Sequence, residues 1–312
     1  MNRVNPLVLY ILCFLWYIHG SAPLTENERE VVPPADLSPD DVLGKVSGLL
    51  ESQMEEEAYI YLMDHIRTFW MRGSEREAQE RLEEAVSFFE MGENKAELAR
   101  AYHLLATVLH DFQQFDTALE YFEKSLKIKE YIGDELGRAS TFGNMGIVHF
   151  EKGDLEKALE YYIRSRFIFK RIGSQQGEGR ILNNIGLVYQ ERNELDRALD
   201  CYQQALSHYM DLGLEYGIAS TCNNIGGVHE LRGECERALD FYKLALERSE
   251  KANDQFAKAK TCYNLGHVLA MLGEKELAED LLTTGMGLFM GLSNDIEAHR
   301  CKKLLEEVRE RL

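Results

Sequence analysis

Between Gly179 and Ala205 (GRILNNIGLVYQERNELDRALDCYQQA) apolar and polar positions alternate twice with the period of an amphipathic helix, and the pattern breaks at Asn193. The spacing predicts two short helices back to back. The stretches that begin at Ala139 (ASTFGNMGIVHFEKGDLEKALEYYIRS) and at Ala219 (ASTCNNIGGVHELRGECERALDFYKLA) lie equally far on either side and align with it without a gap, so the chain is an array of one repeated helix pair.

The repeat carries its own packing code. A small residue recurs on the first helix at Ala106, Gly146, Gly186, Gly226 and Gly266. An alanine recurs on the second at Ala78, Ala118, Ala158, Ala198, Ala238 and Ala278, followed four residues on by Leu82, Phe122, Tyr162, Tyr202, Tyr242 and Leu282. Small against large at constant spacing lets two helices approach while a ring fills the space beside them. Gly73, Gly153, Asn193, Gly233 and Gly273 fall between the helices of a pair, and Gly133, Gly173, Gly213 and Asn253 after the second, where a left-handed residue ends a helix. Asp154 is placed as an N-cap. All five prolines lie at or before Pro39, as a long helical array requires.

These residues resemble the tetratricopeptide repeat. Its pattern W-x2-L-G-x2-Y, then A-x3-F, is met as Leu182, Ile185, Gly186 and Tyr189, then Ala198 and Tyr202; the family's Trp and terminal Pro are absent, and Gln113 replaces a turn glycine. The unit is longer than the family's usual span of about 34 residues. In this it looks like the long-helix subgroup of Pins/LGN-type adaptors, Rapsyn and kinesin light chains. The resemblance implies an all-α fold, a right-handed superhelix (α-solenoid) of antiparallel helix pairs. Five units are expected at 99–138, 139–178, 179–218, 219–258 and 259–298, with a degenerate capping repeat at 59–98 and Ile66 where glycine belongs. Residues 294–312 read as a solvating end helix, because CKKLLEEVRERL is charged where a further repeat would be apolar.

The N-terminus is of another kind. Arg3, the apolar run Leu7 to Ile18 and Gly20-Ser21-Ala22 make the pattern of a secretory signal peptide over 1–22. As a helix that run is about 18 Å long, short of a bilayer core. Residues 23–41 read as an acidic, proline-containing linker and 42–58 as a lead-in helix. An extracytoplasmic or secreted protein is expected on this ground, with a membrane-anchored or cytoplasmic one as the alternative. Five scattered cysteines after Ala22, an odd number without a CxxC, and the lack of any Asn-x-Ser/Thr sequon point the other way.

A formal charge of −18 repels phosphate backbones and excludes nucleic acid as a partner. No HExxH, GxSxG or phosphate-binding loop is present, and Gly177-Glu178-Gly179 lacks a third glycine. His149 and His229 occupy the slot of Tyr189 and read as packing residues, while His103 and His110, two turns apart, cannot share a metal. No cofactor, metal or catalytic residue is expected.

With Gly186 as position eight of its unit, positions two, six, nine and thirteen of the first helix share one face, the concave side of a tetratricopeptide superhelix. Position six carries Asn144, Asn184, Asn224 and Asn264, and position five adds Asn183 and Asn223. Asparagine is not chosen for helix propensity, and a carboxamide both donates to and accepts from the backbone of an extended peptide. In the long-helix subgroup such asparagines hold an extended partner; the competing reading is that they bond one another and keep first helices in register. Arg100, Arg180 and Lys260 at position two, with Arg138 and Lys258 beside them, make one edge basic, which suits an acidic or carboxylate-bearing segment unless these residues pair with nearby Glu. Position nine (Thr107, Ile147, Leu187, Gly227, His267) lacks the residues of a carboxylate clamp. The expected function is a non-enzymatic scaffold binding a peptide or partner segment; a self-assembling or envelope-complex protein is the alternative, and a peptide-regulated helical regulator a third.

Overall fold

The computed structural model describes residues 44–49, 52, 61, 87, 90, 95–292 and 294–310. The expected leader and linker lie outside the described residues, as do most of the lead-in segment, whose residues 44–49 are helical, and of the degenerate repeat.

Eleven helices follow from residue 95 on, among the described residues: α1 (Lys95–Asp111), α2 (Phe115–Ile132), α3 (Glu135–Glu151), α4 (Leu155–Arg171), α5 (Gln175–Glu191), α6 (Leu195–Leu212), α7 (Glu215–Leu231), α8 (Cys235–Lys251), α9 (Gln255–Leu272), α10 (Lys275–Gly291) and α11 (Asp295–Glu310). Odd-numbered helices are the first of each pair and recur in constant phase, those from α1 to α9 starting four residues before the unit boundary taken from sequence. The chain forms two compact units, with described residues up to 168 in one and from 169 in the other. In the first, α1 packs on α2 and also touches α3; in the second, each helix from α5 packs on the next, while α5 touches α7, α7 touches α9 and α9 touches α11. Within each unit, first helices thus make one layer and second helices another, the all-α arrangement of a helix-pair repeat.

The connections are made as their residues dictate. Among the described residues, each glycine between helices adopts a left-handed φ, from 65° at Gly213 to 85° at Gly273, and Asn193 and Asn253 follow at 58° and 53°. Gln113 is forced to φ 59° in the same slot without the tolerance of asparagine. Gln113→Gly is therefore expected to stabilise the fold by about 1 kcal/mol, raising Tm by a few degrees in a thermal melt. An unchanged Tm would mean that the Gln113 side chain offsets its strain. Helix starts are capped by side chains: Asp134 accepts from Gly137 N at 2.8 Å, Asp154 from Lys157 N at 3.2 Å and Asp254 from Ala257 N at 2.7 Å. Burial raises the Asp254 carboxyl to a pKa of about 6, against two backbone N–H bonds that lower it.

The small-against-large code holds inside each pair. A Cβ on Gly186 would stand 2.4 Å from Tyr202 Cε1, one on Gly146 2.5 Å from Tyr162 and one on Gly226 2.6 Å from Tyr242. Only glycine lets these rings lie flat on the first helix. Tyr202 and Tyr242 are fully buried, and their hydroxyls donate to Gln190 at 3.1 Å and Glu230 at 2.8 Å.

A second lock joins α4 to α5 and α6 to α7. A Cβ on Gly177 would meet Phe169 Cδ1 at 2.3 Å, and one on Gly217 would meet Tyr209 Cδ1 at 2.4 Å. The glycines that might suggest a phosphate loop are thus seats for aromatic rings. In the first unit Lys129 takes the ring's place, only 4% exposed, its stem against Gly137 and its ammonium donating to Thr141 Oγ1 at 3.2 Å. At the other end α11 buries Ala298, Cys301, Leu305 and Val308 and exposes Lys302, Lys303, Glu306 and Glu307, so its outer face is charged.

Candidate functional site

The asparagines are placed by the first-helix layer, and most of them bond from repeat to repeat. In the C-terminal unit Asn183 Nδ2 donates to Thr221 Oγ1 at 2.9 Å and Asn223 Nδ2 to Thr261 Oγ1 at 2.6 Å, both pairs buried. Asn264 Nδ2 then donates to Asn223 Oδ1 at 3.4 Å. Each threonine passes its own proton to the carbonyl four residues back in its helix, Thr221 to Gly217 and Thr261 to Ala257, both at 2.7 Å. A rung therefore runs from position five of one repeat to position three of the next, closed by the amide at position six.

The N-terminal unit builds the same rung with an imidazole. His103 stands at position five, its Nδ1 3.2 Å from Thr141 Oγ1 and its Nε2 3.1 Å from Asn144 Nδ2. Thr141 donates to Gly137 O, so its oxygen accepts from His103 Nδ1–H, and Asn144 donates to the bare Nε2.

The alternative weighed from sequence, amides that keep first helices in register, thus describes Asn144, Asn183, Asn223 and Asn264. Asn224 is buried and also engaged within the protein. Asn184 is half-buried as a residue, but its Nδ2 is itself buried, as is that of Asn224, and makes no hydrogen bond.

The basic edge is largely spent. Arg138 pairs with Glu130 at 3.3 Å and Glu135 at 2.9 Å, and Lys258 with Glu250 at 2.9 Å. Arg180 lies over the Phe169 ring, 5.9 Å from its centroid, and Arg100 and Lys260 are half-buried and engaged within the protein.

Position thirteen completes the face. Its residues run Asp111, Glu151, Glu191, Leu231 and Met271, acidic in the earlier repeats and apolar in the later ones, and Leu231 and Met271 are 60% and 51% exposed. The sequence places position thirteen on the binding face, and reading it copy by copy is the signal that picks out these two residues.

The histidines and cysteines are occupied elsewhere. Burial pulls His110 down, but bonds to Asp111 at 3.3 Å and Glu151 at 2.9 Å outweigh it and hold its pKa at about 9, an imidazolium between carboxylates. His149 stacks on Tyr161 at 5.2 Å and burial lowers its pKa; His229 stacks on Phe241 at 5.4 Å and bonds Glu234 at 2.8 Å. His267 bonds Glu230 at 2.7 Å. Burial pushes the Cys222 and Cys301 thiols up to about 12 and Cys262 to about 11. Among the described residues no group of His, Cys, Asp or Glu is placed to hold a metal ion, and no helix is long and apolar enough to cross a membrane.

Two layers of like helix pairs, with locks on one side and variable side chains on the open side of the first helices, define a repeat scaffold for protein interactions. The chain belongs to the tetratricopeptide repeat family, whose model matches residues 62–130, 137–211 and 217–289, the first match starting inside the segment that reads as degenerate. No curated protein sequence matches it. Among solved structures it is similar to BtubC (BKLC) from P. vanneervenii, at 21% identity over 70% of this chain and 94% of that one, with a TM-score of 0.53. It is also similar to a Rap protein complexed with competence and sporulation factor, at 15% identity over 88% of each chain and a TM-score of 0.61. A third is aspartyl phosphate phosphatase F from Bacillus subtilis, at 13% identity over 100% of this chain and 97% of that one, also at 0.61. At such identities the likeness is one of fold.

Proposed function

We propose that the chain is a non-enzymatic adaptor that binds an extended segment of a partner protein along the open face of its first-helix layer. The observation that carries this reading is the exposed apolar pair Leu231 and Met271 at position thirteen of that face, beside the column of amides at positions five and six. The Rap protein crystallised with competence and sporulation factor supports the idea that this architecture holds a ligand. One amide bond nets about 1 kcal/mol against an association cost of at least about 4, so side-chain anchors supply most of the affinity. With the basic edge paired, those anchors are apolar rather than acidic.

Peptides selected from a random display library on the purified array test this. Leu231→Ser is expected to weaken them about fivefold with Tm unchanged, whereas Asn223→Ala, which cuts a buried rung, lowers Tm. Failure to enrich any peptide would remove the groove reading. A second reading, a regulator acting on aspartyl phosphate, draws on the likeness to aspartyl phosphate phosphatase F over the whole chain. Release of phosphate from a phosphorylated response-regulator domain by the purified protein would favour it.

A further inference from the structure

Two adjacent glycines on α7 differ in what the fold asks of them. Gly226 is pinned by the Tyr242 ring, but a Cβ on Gly227 would meet only Tyr242 Oη, at an ordinary 3.7 Å. Packing therefore does not require Gly227, although a glycine in a helix interior weakens the helix. Position nine is where the open face has its middle row, so at Gly227 this row is bare backbone. Leu187, at the same position of α5, packs against the cluster that contains Val228 of α7. Leu231 stands one turn on along α7, and Met271 occupies its position on α9, both exposed. Glu191, also exposed, holds that position on α5.

We propose that the gap at Gly227 is an anchor site for a bulky aliphatic side chain of an extended partner segment, flanked by Leu187, Leu231 and Met271, with a cationic residue of the same segment against Glu191. This rests on the groove reading above and names its partner chemistry. The missing side chain makes room, two exposed apolar residues give it walls, and the flexible thioether of Met271 fits itself to a branched guest. The carboxylate of Glu191, one first helix before the gap, is complementary to Lys or Arg. Packed helices are about 8–10 Å apart, the reach of about three extended residues, so the cation precedes the aliphatic residue by three. This reverses the acidic preference that position two suggested.

The probe is acetyl-Lys-Ser-Ser-Leu-Ser-amide, titrated into the whole protein with methyl-labelled methionines, with the Met271 signal assigned by its loss in Met271→Leu. The leucine peptide should move this signal saturably, and its serine counterpart should bind at least about tenfold more weakly. Gly227→Leu, which fills the gap, should lose the leucine preference, and Gly287→Ala, a glycine on the exposed side of α10, should not. Gly227→Ala should also raise Tm, and Gly287→Ala should do the same. Equal responses to the two peptides overturn the anchor and leave the groove standing, and silence from both overturns the two together. A fall in Tm for Gly227→Ala would show that packing does require this glycine and would overturn the anchor by itself.

Discussion

Gly186→Ala is expected to destabilise the array by about 3 kcal/mol, more than almost any other exchange of one hydrogen for a methyl in this chain. The new carbon would lie 2.4 Å from a ring carbon of Tyr202. That ring has no room to retreat, since it is fully buried between Ala198, Ile225 and Val228, and its hydroxyl is tied to Gln190. Either the ring leaves its rotamer or α5 and α6 separate, and both lose contacts in a close-packed interior. Urea denaturation of the purified protein measures the loss. The first unit shows how the clash is relieved, for there alanine and phenylalanine, Ala106 and Phe122, occupy the two places and both are buried. Gly186→Ala combined with Tyr202→Phe frees the ring from Gln190 and should recover part of the stability. A double variant that loses the sum of the two single effects would show that the phenol does not hold the ring in place.

The second large effect is one of pH. His110 is buried with a folded pKa of about 9 against an ordinary 6.5, because Asp111 and Glu151 hold its proton. A raised pKa means that the folded state binds the proton more tightly than the unfolded one. The contribution is fully present below about pH 6.5, falls as pH rises, and is gone above about pH 9; the shift amounts to about 3 kcal/mol. Urea midpoints at pH 6 and pH 9.5 should differ in this direction for the wild type, and His110→Gln should remove most of the difference. If the variant keeps the full slope, another group carries it.

How much of this was legible depends on whether partners share a register. The turn residues could be read because each acts alone on its own backbone: a glycine or asparagine recurring at the same phase of every repeat forecasts a left-handed φ, and Gly133 to Gly273 have it. The Gly186–Tyr202 lock could be read because both members recur in each copy. The second lock was harder to see. Phe169 and Tyr209 face Gly177 and Gly217, but the same place holds Lys129 and Ser249 in other copies, so its ring column is broken. The rungs lay further out of reach. Asn183 bonds Thr221, two positions short of its counterpart in the next repeat, and Asn264 bonds Asn223, one position off. Comparing like positions cannot show a bond between unlike ones. The amide column was therefore recognised as deliberate while its bonds to neighbouring helices were hidden.

The reach of the locks bears on how such chains change over generations. The ring at Tyr202 sits on Gly186 of the helix before it, and the ring at Tyr209 on Gly217 of the helix after it, so neither tie extends beyond an adjoining helix. Excising or duplicating a stretch of one whole period between copies that share these glycines leaves each surviving ring a seat, because the seam then presents glycine at the same phase. Lineages can thus lengthen, shorten or shuffle the molecule by unequal crossing-over without inventing a new interior, while exposed side chains such as Leu231 and Met271 are free to be rewritten.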